Sequence, residues 1–333
     1  EPVPQTISSI TAGGRRRQGL ARLARHAAVP ELVQHGRAHG EAAHGGSGLG
    51  ITEAALMMQA VACGPGAFAA ASSIHLNIFG LNPVVVFGTD GQRTRMLPPI
   101  IKGDHRACFG VTEPDAGLDT GSLKTKAVRD GGTYVVQGRK VWTTNAQSST
   151  HILLLARTTP QEDVARSTDG LSLFYTALDR DYVTVREIDK MGRKAVDSNE
   201  IFIDALPVPA TDRIGEEGEG FRYLLDGLNP ERILVAAEAI GIARYAIGRA
   251  ANYAGERIVF GRAIGQNQAI QHPLAESWVE LEAADLLMLK AAQLYDAGKP
   301  CGAEANMAKM LASEASWKAG DVCMQTHGGF AFA

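Results

Sequence analysis

The sequence predicts an α+β protein with three parts. These are an N-terminal helical domain over residues 1–105, a middle antiparallel β-barrel or sandwich domain over 106–212, and a C-terminal helical bundle over 213–333. Apolar residues recur with helical spacing at both ends of the chain and in short, turn-bounded β runs between them. Strands are thus gathered in one stretch, whereas a doubly wound nucleotide fold would alternate strand with helix. The chain's 333 residues, 45% of them hydrophobic, are ample for two or three domains with buried cores.

Taken in order, Thr6 to Arg25 is Arg-rich and free of acids. It reads as a basic first helix, with a transit peptide as the alternative. A helix is expected over Thr52–Ala62 and another over Phe68–Phe87. A third opens near Thr89-Asp90, where either side chain could cap it, and ends by Pro98. The strand candidates are Ala107–Thr112, Tyr134–Trp142, Ile152–Ala156, Leu171–Ala177, Val183–Ile188 and Ile201–Ile203, with Pro207 and Pro209 marking the exit. Turn residues such as Asp130-Gly131-Gly132 and Asp169-Gly170 separate them. Gly215 to Gly220 reads as a flexible connection, after which proline-free stretches run over Glu231–Arg262, Leu274–Gly298 and Ala303–Gln325. Helices of that length with short links suggest a bundle.

Composition excludes several functions. A net charge of -3 points to neither nucleic acid nor an anionic membrane. The four cysteines are far apart and suggest no zinc site or disulfide framework, so a reducing compartment is the natural reading. No metal centre is expected from the nine histidines. No apolar run approaches the length of a membrane span. The glycines of Gly45 to Gly50 miss the G-x-G-x-x-G pattern and follow no strand, which argues against a phosphate cradle.

Two segments carry chemistry. In Phe109-Gly110-Val111-Thr112-Glu113-Pro114-Asp115-Ala116-Gly117 a β run stops at a proline and a turn of small residues follows. Further on, Gly138-Arg139-Lys140-Val141-Trp142-Thr143-Thr144-Asn145 closes a strand with an aromatic and two hydroxyls. The pair resembles the acyl-CoA dehydrogenase family, which carries T-E-P-x-A/G-G-S and then G-x-K-x-W-I-T-N. Further matches follow in order: Lys190-Met191-Gly192, Val208-Pro209, Arg257-Ile258-Val259-Phe260-Gly261 with Gln268, and Gln325-Thr326-His327-Gly328-Gly329. The resemblance spans roughly residues 45 to 333.

That resemblance implies FAD. Phe109, Val111, Thr112 and Gly117 would face the polar edge of the flavin, and Trp142, Thr143 and Thr144 would line its other side. Arg257, Phe260 and Gln268 would reach the pyrophosphate from a second subunit, and Gln325, Gly328 and Gly329 the adenosine half. A homotetramer, a dimer of dimers, is implied with them. The implied reaction is α,β-dehydrogenation of an acyl-CoA, with electrons passed to an electron-transfer flavoprotein. An acyl-CoA oxidase and an inactive flavin- or acyl-CoA-binding scaffold are the alternatives. Location would be the cytoplasm, or a mitochondrial matrix.

Leu228-Asn229-Pro230-Glu231-Arg232 resembles the L-D-x-E-R element of the isovaleryl-CoA and long-chain subset, which makes Glu231 the expected base. Pro230 suits a first turn and Asn229 a cap, which would put Glu231 at a helix N-terminus. Asn229 and Arg232 would face coenzyme A. Leu118 stands where the family commonly has a Ser that hydrogen-bonds pantetheine, so that contact departs from the pattern.

Overall fold

The computed structural model describes residues 45–332 apart from Ser47, Lys194 and Ala195. The readings made for Thr6 to Arg25 and for the start of the N-terminal domain lie outside the described residues. The chain divides into two compact units, one built mainly of Phe68–Arg232 and the other of Ile51–Ala67 with Ile233–Ala333. The helices before residue 105 are therefore shared between the units.

In the first unit, helices α2 (Ala67–Phe79), α3 (Asn82–Phe87) and α4 (Asp90–Lys102) precede the sheet. The single helix expected over Phe68–Phe87 is broken, because Pro83 opens a new helix at its first turn. Thr89 rather than Asp90 caps α4, in a reciprocal capping box with Gln92. The expected stop at Pro98 does not occur. Met96, Leu97, Ile100 and Ile101 are buried on both sides of Pro98 and Pro99, and the helix runs on until Gly103 closes it at φ 88°.

The strands are β1 (Ala107–Gly110), β2 (Lys126–Asp130), β3 (Thr133–Thr144), β4 (His151–Arg157), β5 (Leu171–Ala177), β6 (Val183–Glu187), β7 (Ser198–Pro209) and β8 (Arg213–Ile214). They form one sheet in the order β6-β7-β3-β2-β4-β5-β8, with β1 on β4. Pairing is antiparallel except for β1 and β2 against β4. Strand β4 is buried on both faces. Leu153 and Leu155 pack with α3 and α4, while Ile152, Leu154 and Ala156 join Tyr134, Val136, Ile201 and Ile203 in a second core. That double burial explains its unbroken apolar run.

Strand β2 escaped the sequence reading because it is mostly exposed. Strand β7 extends well beyond Ile201–Ile203, with Pro207 and Pro209 inside it. Strand β6 covers β7 only over residues 199–203, so both prolines sit where one side of β7 has no ladder partner.

The largest correction concerns helix α5, which begins at Gly220 and runs to Glu256. Asn229 is thus no cap, and Glu231 lies about three turns inside the helix. The dipole of a helix N-terminus cannot act on it there, since that effect fades within a turn. Tyr223, Leu224, Gly227 and Pro230 are buried at helical spacing, and that apolar face carries the helix through the proline. Gly215 to Gly220 is likewise no free link. Gly218 N–H donates to Ser172 Oγ at 2.9 Å, and a Cβ on Gly220 would lie 2.5 Å from Leu173 N.

The second unit holds α1 (Ile51–Ala62), the rest of α5, a hairpin of β9 (Ile258–Val259) and β10 (Arg262–Ala263), α6 (Gln268–Asp296) and α7 (Gly302–His327). Asp296 accepts the N–H groups of Ile51 and Thr52 at 2.7 and 3.0 Å, which caps α1 from the far end of α6. Helix α7 buries Ala305, Ala308, Ala312, Ala315 and Ala319. Small side chains at that spacing let helix backbones approach closely. The expected helix to Arg262 stops at Glu256, where the hairpin begins.

Candidate functional site

Strand β1 ends at Gly110. Four residues on, Pro114 turns the chain, and Glu113 and Ala116 exchange backbone hydrogen bonds at 3.3 and 3.2 Å. The Glu113 carboxylate points inward, 5% exposed, and accepts from Lys124 N–H at 2.7 Å and Thr125 N–H at 2.9 Å. Its third donor is the ammonium of Lys140, wholly buried at 2.9 Å, which also donates to the Val111 carbonyl at 3.0 Å. Burial raises the Glu113 carboxyl, but the Lys140 charge and these hydrogen bonds outweigh it and hold the group below the usual carboxylate range. Burial pulls the Lys140 ammonium down to about 8, against the opposing pull of Glu113.

Beyond Lys140, β3 bulges. Lys140 faces Ile201 and Thr143 faces Asn199, so Val141 and Trp142 together oppose a single residue of β7. The bulge turns Val141 N–H onto the Thr112 carbonyl at 2.9 Å and holds Trp142 at φ 61° with its side chain exposed. A positive φ is uncommon for a bulky residue and costs about 1–2 kcal/mol, so the surroundings must impose it. Asn199, fully buried, fixes the next residue by donating Nδ2 to the Thr143 carbonyl at 2.9 Å. Thr143 itself points inward, and its buried hydroxyl has no partner. Trp142 and Thr144 share the opposite, outward face.

A flat apolar ring with a polar rim needs an apolar wall and unspent donors. The exposed Trp142 indole offers the wall. The Thr112 hydroxyl makes no hydrogen bond to another described residue. A Cβ on Gly117 would meet nothing within 4 Å, so the loop is open there. These residues fit the expected flavin, whereas the Thr143 hydroxyl is turned away from that face. Phe109 and Val111 brace the strand end by packing on the first core.

Of the expected thioester contacts, Leu118 is fully exposed. The loop behind it is held by Arg157, whose guanidinium reaches the carbonyls of Gly121 at 2.7 Å, Ser167 at 2.8 Å and Leu123 at 3.3 Å. On α5, Arg232 donates to Asn229 Oδ1 at 3.3 Å, which places the pair on one face. Glu231 between them is half-buried.

In the second unit, Phe260 and Gly261 form the two-residue turn of the hairpin at φ 51° and 78°. That is the primed geometry the strand twist favours, with an exposed Phe where Asn or Gly is usual. A cavity of about 610 Å³ lies beside it, lined by Arg257, Gly328, Gly329, Tyr253, His327 and Phe330 among others. His327 stacks on Tyr253 with ring centroids 4.4 Å apart. Gly328 ends α7 at φ 60°, and a Cβ on Gly328 or Gly329 would meet nothing within 4 Å. Those two glycines leave backbone open to a group in the cavity. Phe260, Gln268 and Gln325 are exposed and do not line it.

Sequence reasoning quoted Glu113, Lys140 and His327 inside motifs without giving them roles, and it passed over Asn199 and Tyr253. Lys140 carried a readable signal. It shares strand parity with Tyr134 and Val136, and a cation on a buried face demands an acid.

Comparison with known proteins covers the same ground. The N-terminal, middle and C-terminal domains of acyl-CoA dehydrogenases match residues 22–104, 108–206 and 218–333. An acyl-CoA dehydrogenase of Bacillus subtilis is 34% identical over 290 residues, covering 87% of this chain and 75% of the relative. The structure of butyryl-CoA dehydrogenase from Megasphaera elsdenii superposes with a TM-score of 0.86 at 30% identity, covering 91% of this chain and 80% of that one. PigA, solved with FAD and proline, superposes with a TM-score of 0.85 at 26% identity, covering 100% and 90%.

Proposed function

The chain belongs to the acyl-CoA dehydrogenase family, and on that premise we propose that it converts an acyl-CoA to the trans-2-enoyl-CoA with Glu231 as the base. It is an oxidoreductase of that type and its cofactor is FAD. Bound FAD supplies the acceptor for the two electrons that leave the β carbon as hydride.

The chain's own residues do the rest. Glu231 takes the α proton, so one proton and one hydride leave and a double bond forms. The α C–H is a weak acid, and fixed donors must meet the charge that develops on the thioester oxygen. Thr112 serves the polar rim of the flavin, while Trp142 and Thr144 line its other side and exclude water. Arg257, Gly328, Gly329 and Gln325 take the pyrophosphate and adenosine part. Phe260 and Gln268, together with Arg257, act on the cofactor of a second subunit. Asn229 and Arg232 turn toward coenzyme A, and Leu118 offers pantetheine an apolar contact in place of a hydroxyl. Among these assignments Thr143 contributes through its backbone, since its hydroxyl is buried on the other face.

A homo-oligomer, with a homotetramer as the expected form, accords with apolar side chains left outside. Met310, Trp317 and Met324 are exposed at seven-residue spacing along α7, as are Val279 and Leu286 along α6. No helix of the described residues is long and apolar enough to cross a membrane. We place the enzyme in the cytoplasm, with an electron-transfer flavoprotein as the electron acceptor.

The observation that carries the reading is the bulge that presents Trp142 beside the clamped strand end. The test is the visible spectrum of the purified protein, before and after anaerobic addition of a panel of acyl-CoA thioesters. A flavin spectrum bleached by one chain class supports dehydrogenation and names the substrate. A flavin that no thioester bleaches contradicts it, and oxygen consumption during turnover would make the enzyme an oxidase.

A further inference from the structure

Glu113 and Lys140 form an ion pair sealed from solvent, and stability alone gives a weak reason for it. Replacing such a pair by apolar residues of similar volume is often neutral or stabilising. The position of the pair is more informative. The β1–β4 ladder ends at Gly110 opposite Leu154. Beyond it, the carbonyl of Val111 is held by Lys140 Nζ and that of Thr112 by Val141 N–H. Both ties come from adjacent residues of β3, and the second exists because β3 bulges there. The same bulge turns Trp142 outward. Glu113 in turn is fixed by two backbone N–H groups from the segment that leads into β2. A methyl in place of the ammonium would fill the space but could not grip the Val111 carbonyl.

We propose that Lys140, oriented by Glu113, is a positioning residue that registers Val111–Thr112 against Trp142–Thr144, so that FAD affinity depends on it more than the fold does. This rests on the flavoprotein reading above. The two segments belong to different strands and meet the same ring, so a small slip between them misplaces donors on one side relative to the wall on the other.

The experiment compares the holoenzyme with Lys140→Met and with the double variant Lys140→Met/Glu113→Gln. The single variant leaves a buried carboxylate unpaired and can fail to fold. The double variant removes both charges together. FAD release is followed by flavin fluorescence on dilution, and melting by circular dichroism. The double variant is expected to melt within a few degrees of the parent, the shift that weaker FAD binding alone produces, yet hold FAD roughly tenfold or more weakly, the order set by losing a charge-assisted hydrogen bond. Unchanged FAD retention overturns the proposal. So does a double variant that melts early with FAD loss tracking the melt, since the pair is then a stability element. A parent that carries no FAD removes the flavoprotein reading as well, which separates the two failures.

Discussion

In the β unit, Val111, Thr112 and Trp142 stand on a strand end and a bulge whose polar groups are largely spent on one another. Lys140, Glu113 and Asn199 are buried behind them and fix each backbone turn. In the helical unit, Arg257, Phe260 and Gly328 stand on a short hairpin and a helix end with open space around them. The first region is cross-braced by its own hydrogen bonds. The second presents its side chains outward, with an exposed Phe at the tip of a primed turn. The difference is what the proposed function requires, in which one chain preorganises the flavin edge and another copy completes the rest of the cofactor site.

The largest effect expected is on Glu231. Glu231→Gln should lower kcat by roughly 10²–10⁴-fold, the usual scale of a lost general base, while FAD stays bound. Turnover left intact in stopped-flow bleaching would move the base elsewhere. Next comes Lys140→Met alone, which leaves Glu113 buried without its cation. It should cost about 3–5 kcal/mol of stability, read from denaturant unfolding. A loss that small exposed-site changes also produce would show that the β unit is not braced in this way.

The third prediction concerns pH. Lys140 sits near 8 in the folded chain against 10.5 for an ordinary lysine, with burial as the cause and Glu113 as the charge facing it. Between those values the unfolded chain holds the proton and the folded chain does not. Stability from this group therefore rises with pH across that window, while its grip on Val111 weakens. FAD release should increase through about pH 8 without unfolding, and the Lys140→Met/Glu113→Gln variant should lack that step. The smallest effect on the fold is expected at Phe260→Ala, which touches no packed feature and should leave the melting temperature nearly unchanged. Its effect should instead appear as weaker association between subunits.

The helix-strand-helix order was legible in the sequence because periodicity and turn chemistry are local, whereas the two segments proposed to face the flavin stood out only through their resemblance to the family's motifs. The sequence misled where tertiary burial decides. Pro98 and Pro230 looked like boundaries, yet buried residues on both sides carry α4 and α5 through them. The exposed strand β2 had no apolar alternation to reveal it. The inward turn of Thr143 depends on a bulge that no spacing rule announces. Lys140 and Glu113 were visible as letters, but their pairing needed the fold.

The most direct measurement is light scattering coupled to flavin absorbance over a dilution series of the holoenzyme. The account predicts that FAD is released as the oligomer dissociates, with mass and flavin content falling together. A monomer that keeps its FAD at undiminished affinity would contradict it, because the helical unit's outward residues would then have no part in holding the cofactor of another copy.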